Sequence, residues 1–441
     1  MYKRIKYVKE VQTCEKEIVL FNPLNASFGI IPSDLYDEYY KCKDKDCYDI
    51  KNEFLINNFF CKEEDFSDEK DIINAIQRNI LEPDFMQLTI MPTEQCNFRC
   101  VYCYEGFKKG KMAKQTADAI VSYIEENISN YKGITISWFG GEPLLAVDII
   151  EYISDKVIAI CKKYRKMFIA SMTTNGFLLN LDNISKLYKM HVYTYQITLD
   201  GTQVTHDRQR ILCGGGKTFD TIVNNLLNIK KFFRKKFLRI TLRTNLTKEI
   251  IAVSLDDYIN FIQEHFANDV IFDFLFRIAW TNDKVKIEKQ NIFIESEFEA
   301  YKYLYSKLSK VEGLSYYDEL SQLLVGGGVC NAAKKGYYIF GSDGMIYKCT
   351  VHFDDVDNQL GYISNDGEVI IDEAKKTFWE REEYICLSRC HNCDYIISCL
   401  GISCPYKTYK GIECNEQDAK RNELIIPLIA KSLKCPVVKS I

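Results

Sequence analysis

From Phe85 onward the sequence alternates short apolar runs with segments whose apolar residues recur every three or four positions, and that alternation admits few architectures. A strand followed by an amphipathic helix, repeated, builds a parallel sheet wrapped by helices. The pattern predicts six strands, at Met86–Ile90, Ile134–Trp138, Phe168–Met172, Tyr195–Leu199, Arg239–Arg243 and Ile271–Phe276. Between them it predicts helices at Gln115–Asn130, Val147–Tyr164, Asp182–Lys189, Phe219–Phe233 and Leu255–Phe266. Polar stretches follow four of the strands directly. A cysteine loop follows the first, Gly140-Gly141-Glu142-Pro143 the second, Thr173-Thr174-Asn175-Gly176 the third and Asp200-Gly201-Thr202 the fourth. Taken singly, each reads as a turn. As a series at successive strand ends they mark the mouth of a barrel, where parallel β/α folds gather their functional groups.

The cysteine loop is Pro92-Thr93-Glu94-Gln95-Cys96-Asn97-Phe98-Arg99-Cys100-Val101-Tyr102-Cys103. Four-iron clusters normally take four thiolates, so a CxxxCxxC loop leaves one iron open to another ligand. A zinc knuckle is the alternative, but structural zinc wants four closed ligands, and no fourth Cys or His stands near this loop in sequence.

A chain of 441 residues should hold two or three domains, since single cores stop growing near ~250 to 300 residues. Its net charge of -4 is small, and no Lys/Arg block reads as a nucleic-acid footprint, so no nucleic-acid partner is expected. No run approaches the ~18 apolar residues of a membrane span, and no export signal opens the chain; a cytoplasmic protein without a membrane partner is expected. Eighteen cysteines in a long chain of this kind point to thiolate ligation rather than disulfides.

Together with Ser137-Trp138-Phe139-Gly140-Gly141-Glu142-Pro143, the cysteine loop resembles the radical S-adenosylmethionine (SAM) superfamily. The resemblance implies a partial (β/α)6 barrel and a [4Fe-4S] cluster on Cys96, Cys100 and Cys103, whose open iron chelates the methionine amine and carboxylate of SAM. By matching positions, Gly140, Gly141 and Glu142 would receive the amine, with the glutamate as a charged acceptor. Thr174, Asn175, Thr198, Asp200, Arg243 and Asn245 would take ribose hydroxyls, and Tyr102 would pack near adenine or screen the cluster. Oxygen-sensitive clusters imply a habitat with little oxygen. The stretch from His206-Asp207-Arg208-Gln209-Arg210 through Cys213-Gly214-Gly215-Gly216 to Thr218-Phe219-Asp220 resembles a segment of peptide-modifying members. A lone histidine is more often structural, so His206 is not expected to act.

Cysteines return near the end at Cys330, Cys349, Cys390, Cys393, Cys399, Cys404 and Cys414, with Gly344 ahead of the second. This arrangement resembles the SPASM domain, which implies two auxiliary clusters and three [4Fe-4S] clusters in all. Cys390, Cys393, Cys399 and Cys414 would close one, and Cys330, Cys349 and Cys404 the nearer one, which is a thiolate short. Leu324 stands where some relatives carry the extra cysteine; either Cys386 substitutes for it, or the open iron binds a substrate group such as a thiolate. A zinc ribbon is the competing reading.

Ahead of the barrel, Glu17 to Ile31 reads as a hairpin followed by three helices, a winged-helix-like unit. Similar units capture a leader peptide by strand addition, though a plain packing module reads equally well. The expected domains are 1–84, 85–300 (the barrel) and 301–441 (a bridging helix and the SPASM region). The resemblance implies an enzyme that abstracts hydrogen from a ribosomally made precursor peptide, leader plus core, and oxidatively closes a thioether or carbon–carbon crosslink. A flavodoxin- or ferredoxin-type donor would supply electrons. The rivals are an anaerobic sulfatase-maturating enzyme, a peptide epimerase using Cys213 as hydrogen donor, and a non-enzymatic electron carrier. The first loses ground because Thr350, not an aspartate, follows Cys349, the nearest acids being Asp354 and Asp355.

Overall fold

A computed structural model describes residues 2–5, 7–13, 16–43, 51–62, 81–280, 290–380, 393, 395–401, 404–410 and 416–440. They fall into two compact units that do not follow chain order. One comprises Glu82–Glu295 with Asn331–Arg381, the other Met1–Leu81, Ser296–Cys330 and Glu382–Ile441. The region expected as one C-terminal domain is thus divided between them.

The larger unit is built on β1 (Phe85–Ile90), β2 (Gly133–Trp138), β3 (Met167–Thr174), β4 (Val192–Thr198), β5 (Arg239–Leu246) and β6 (Phe272–Ile278). All pair in parallel with their sequence neighbours. Between them run α1 (Lys114–Asn127), α2 (Val147–Tyr164), α3 (Leu181–Lys189), α4 (Phe219–Phe233) and α5 (Leu255–Phe266). The expected strands and helices are therefore present. The sheet is larger than expected: β7 (Tyr338–Phe340) joins β1 in parallel, and β8 (Met345–Tyr347), β9 (Gln359–Ile363) and β10 (Val369–Ile371) extend it antiparallel to a mixed sheet of ten strands. These late strands are three to five residues long, too short for a period-two pattern to stand out.

Alternation within the six parallel strands decides what the barrel can hold. Ile134, Ile136, Trp138, Tyr195, Ile197, Ile240 and Leu242 point outward and are essentially fully buried. On that outer side Thr244 meets the Tyr258 hydroxyl of α5 at 2.8 Å, and Phe272 packs on Phe266, ring centroids 4.8 Å apart. The alternate positions carry Thr135, Ser137, Ser171, Thr173, Gln196, Thr198, Thr241 and Arg243. Register sets Ser137 opposite Ser171, with hydroxyls 3.0 Å apart, Thr173 opposite Gln196, and Thr198 opposite Arg243. A parallel sheet covered by apolar layers on both faces would read as continuous hydrophobic runs. This one has a hydrogen-bonding inner face.

In the second unit, Lys9–Gln12, Ile18–Asn22 and Ser27–Ile31 form an antiparallel three-stranded sheet; the expected hairpin turns between Asn22 and Ser27. Helices Tyr36–Lys43 and Glu53–Phe59 follow, the second capped by Asn52, whose side chain accepts from the Leu55 amide at 3.1 Å. The third expected helix falls mostly outside the described residues. Ile18, Leu20, Ile31, Tyr39, Leu55 and Phe59 form a core that also takes Val438, and Ile30 pairs with Val437. Among the described residues, no helix is long and apolar enough to cross a membrane.

Candidate active site at the barrel mouth

The three cysteines lie on the loop that leaves β1, each half-buried and none in a disulfide. Phe98–Cys100 within that loop pairs antiparallel with Arg210–Leu212, and the Cys213 amide donates to the Asn97 carbonyl at 2.6 Å. The resemblance to peptide-modifying members thus has a physical meaning: its segment is strand partner to the cysteine loop. Asp207 accepts from the Thr218 and Phe219 amides at 2.8 and 2.9 Å, capping α4. His206 is buried, and burial holds it well below the usual imidazole range. Its Nδ1 accepts from the Asp200 amide at 3.1 Å, the structural part expected of it.

Gly140 and Gly141 press on the other side of the cysteine loop. A Cβ on Gly140 would stand 2.3 Å from the Thr93 carbonyl oxygen, and one on Gly141 2.5 Å from that of Gln95. Gly140 also has φ +111°, where a side chain is strained. Backbone hydrogen bonds Gly141 to Thr93 at 3.3 Å and Glu142 to Gln95 at 2.9 Å hold the two segments together. Only glycine allows this approach.

Three of the expected site residues are buried and hydrogen-bonded within the protein. Glu142 is fully buried: Oε1 accepts from the Thr174 hydroxyl at 2.7 Å and the Leu144 amide at 3.1 Å, and Oε2 from the Asn175 amide at 2.8 Å. Burial pushes its carboxyl up, opposed by those donors. Its carboxylate ties the end of β3 to the glycine run through Thr174 and Asn175. Asp200 is fully buried too, accepting from the Tyr102 hydroxyl and, at 2.7 Å, from the Asn245 amide. It does not line the mouth.

Tyr102 sits in a buried network: Arg210 Nη1 donates to its hydroxyl at 2.8 Å, and Asn245 Nδ2 at 3.1 Å. Its ring packs with Cys100, Ala279 and Phe293. Arg210 ends the His206–Arg210 run that resembles peptide-modifying members but was not among the expected site residues. In space it is a buried cation beside Cys100, centred 5.6 Å from the Phe98 ring, with Nε lacking a partner. Burial works against its charge, but Tyr102, Cys100 and Asp200 hold it above the ordinary range. Burial pushes the free Cys96 thiol up to about 11 and, with Cys100 beside it, Cys103 up to about 12. Cys100 is raised by burial and restrained by Arg210. Iron binding would displace those protons. Among the described residues no three His, Cys, Asp or Glu side chains converge on a metal position; what suits the loop to an iron–sulfur cluster is its chemistry, three thiols within one loop, an adjacent cation, and the Phe98 amide donating to Cys96 Sγ at 3.3 Å.

On the floor of the mouth are Thr198 and Arg243, in register, and Asn175, whose Nδ2 donates to Asn97 at 2.7 Å and lies 4.0 Å from Cys96 Sγ. Arg243 Nε donates to Asn245 Oδ1 at 2.9 Å, and burial and Arg277 lower its pKa. Cys349 follows β8 in the same unit. Asn358 fastens its loop, accepting from the Lys348 and Cys349 amides and donating to the carbonyls of Cys349 and His352. Gly344, φ +85°, makes the turn between β7 and β8. The Tyr104 hydroxyl, next to Cys103, donates to the Thr350 carbonyl at 3.2 Å. Cys330, Cys393, Cys399 and Cys404 belong to the other unit, each half-buried, while Cys386, Cys390 and Cys414 lie outside the described residues. Sequence matching remains the basis for the auxiliary sets.

A partial α/β barrel with a three-thiol loop at its mouth, closed by a glycine pair, defines a class of cluster-dependent enzymes. Residues 90–257 match the model of the Radical SAM superfamily, and the chain is an enzyme similar to members of that superfamily over this stretch. It is 25% identical over 315 residues to the GTP 3',8-cyclase of Clostridium botulinum strain Hall, covering 67% of this chain and 89% of that one. It is 22% identical over 344 residues to the cysteine-type anaerobic sulfatase-maturating enzyme of Clostridium novyi strain NT, covering 71% and 86%. The solved structure of native anSMEcpe with bound AdoMet and Cp18Cys peptide shares the fold, with a TM-score of 0.58 at 17% identity over 78% of this chain and 96% of that one.

Proposed function

We propose that the chain matures a ribosomally made peptide by oxidative crosslinking, with Cys96, Cys100 and Cys103 holding a [4Fe-4S] cluster and a SPASM-like cysteine set holding two more. When bound, the first cluster supplies the electron that splits SAM into methionine and a 5'-deoxyadenosyl radical, and the auxiliary clusters supply an electron acceptor. The peptide would lose two hydrogens per bond, as one hydrogen atom to that radical, one proton and one electron. Backbone groups of Gly140 and Gly141 would meet the methionine amine, and Thr198, Arg243 and Asn175 the rest of SAM. Glu142, Thr174 and Asp200 would brace that floor from behind. The three-stranded sheet over residues 9–31 would read the leader peptide.

One observation carries the chemistry: half-buried thiols on a single loop, with a glycine pair packed so closely on it that added Cβ atoms would lie 2.3 and 2.5 Å from its carbonyls. The peptide substrate draws support from the sulfatase-maturating relative. Formylglycine formation itself is less favoured, since Asp354 is 91% exposed beside Lys108 and Asp355 accepts from the Asp357 amide in its own turn. The test is anaerobic turnover with SAM, dithionite and the co-expressed peptide. Formation of 5'-deoxyadenosine with a product two hydrogens lighter per bond is expected. Deoxyadenosine released only with GTP, and an unchanged peptide mass, would overturn the reading.

A further inference from the structure

In a parallel barrel every strand begins, and every intervening helix ends, at the end opposite the mouth. That end is strongly basic here. Residues 127–133, 160–168, 186–193, 230–239 and 262–271, which connect helix ends to strand starts, hold thirteen lysines and arginines against two acids, in a chain whose net charge is -4. Acids offset a few of them: Lys132 pairs with Asp84 at 2.7 Å, Lys163 with Glu125 at 2.7 Å, and Arg234 approaches Asp269 at 3.8 Å. Basic residues in a last turn offset the helix macrodipole, which accounts for one or two per helix. It does not account for Arg165, Lys235 and Lys236, which lie beyond the helix ends.

Large apolar side chains stand out among these cations. Phe232 is 58% exposed, Phe237 77%, Val270 83% and Met167 55%. Phe237 rests on Tyr193, ring centroids 5.7 Å apart, and Lys236 lies over Tyr188 at 5.8 Å. Cations interleaved with projecting aromatics suit an interface whose partner is anionic outside and apolar beneath.

We propose that this end of the barrel is a peripheral docking face for an anionic lipid surface. Parallel pairing brings the strand starts to one level, which suits a plane better than the groove that a nucleic-acid strand needs. Ten of the thirteen cations are lysines, which act as point charges rather than as bidentate phosphate forks. An electron donor is a poorer occupant, because the thiol loop is a full strand length away, roughly 20 Å. Docked this way, the enzyme would hold its mouth away from the bilayer. No single stretch announces the face, since five separate segments build it.

The test is flotation of the reconstituted full chain with phosphatidylcholine vesicles, with and without about 30% phosphatidylserine. Binding is expected only with the anionic lipid and should fall steeply between low and high salt. Lys231→Glu, Lys235→Glu and Lys236→Glu together should weaken it on the order of tenfold or more, while Lys217→Glu on the mouth side should leave it unchanged. Phe237→Ser should weaken it about threefold at unchanged charge. Thermal melting confirms that each variant is folded. Absence of binding to anionic vesicles at about 0.1 M salt, or tighter binding to single-stranded DNA than to vesicles, overturns the proposal.

Discussion

Gly141→Ala isolates a close contact in the candidate site without the positive φ that strains Gly140. The added Cβ would stand 2.5 Å from the Gln95 oxygen and 2.6 Å from the Glu94 oxygen, both backbone atoms. Carbon and carbonyl oxygen normally approach to about 3.3 Å, so one segment must retreat by roughly 0.8 Å. Overpacking of this kind costs about 1–3 kcal/mol. The hydrogen bond from Glu142 to Gln95, 2.9 Å, resists the retreat, so the strain falls on the seat between loop and glycine run. If about 2 kcal/mol of it opposes binding, SAM affinity falls roughly 30-fold. Gly110→Ala is the matched control, with nothing within 4 Å of its added Cβ. Equilibrium dialysis of SAM against anaerobically reconstituted protein reads the effect, with iron content and melting temperature measured alongside. A Gly141→Ala protein that bound SAM as tightly as the Gly110→Ala control, with an unchanged melting temperature, would refute the packing argument.

Replacing Cys96, Cys100 and Cys103 together by Ala should abolish 5'-deoxyadenosine formation while leaving auxiliary iron in place; cleavage at the parent rate would move the cluster elsewhere. Reconstituted parent protein should carry about twelve irons, as three four-iron cubes require, and four irons with bound zinc would leave a single cluster. Cys213→Ala should remain active and give a peptide lighter by two hydrogens per bond, whereas deuterium gain at one alpha carbon, stalled by this substitution, would mean epimerisation. Lys348 is buried against Glu380, Nζ to Oε1 2.6 Å. Lys348→Met strands that carboxylate and should cost about 3–5 kcal/mol, read by chemical denaturation. A loss below 1 kcal/mol would show the carboxylate finding water or a proton instead.

The barrel was legible because its signals are local. A period of two in the strands and of three to four in the helices is written in neighbouring residues, and α2, α4 and α5 begin and end where the pattern ends. The thiol loop was equally legible, since its three cysteines lie within eight consecutive residues. Side-chain direction was not. Glu142 and Asp200 occupy motif positions, yet both turn inward, because each carboxylate finds backbone amides and hydroxyls from strands distant in sequence. Arg210 stood in the sequence only as the end of the His206–Arg210 run, and its place in the site comes from β-pairing that sets it beside Cys100. The four late strands, the division of the C-terminal region between two units and the basic end of the barrel likewise depend on pairing across long sequence separations. Sequence determined which elements form and which atoms can ligate iron; tertiary structure decided which polar groups face the mouth, because that depends on the partners each group meets once the strands are side by side.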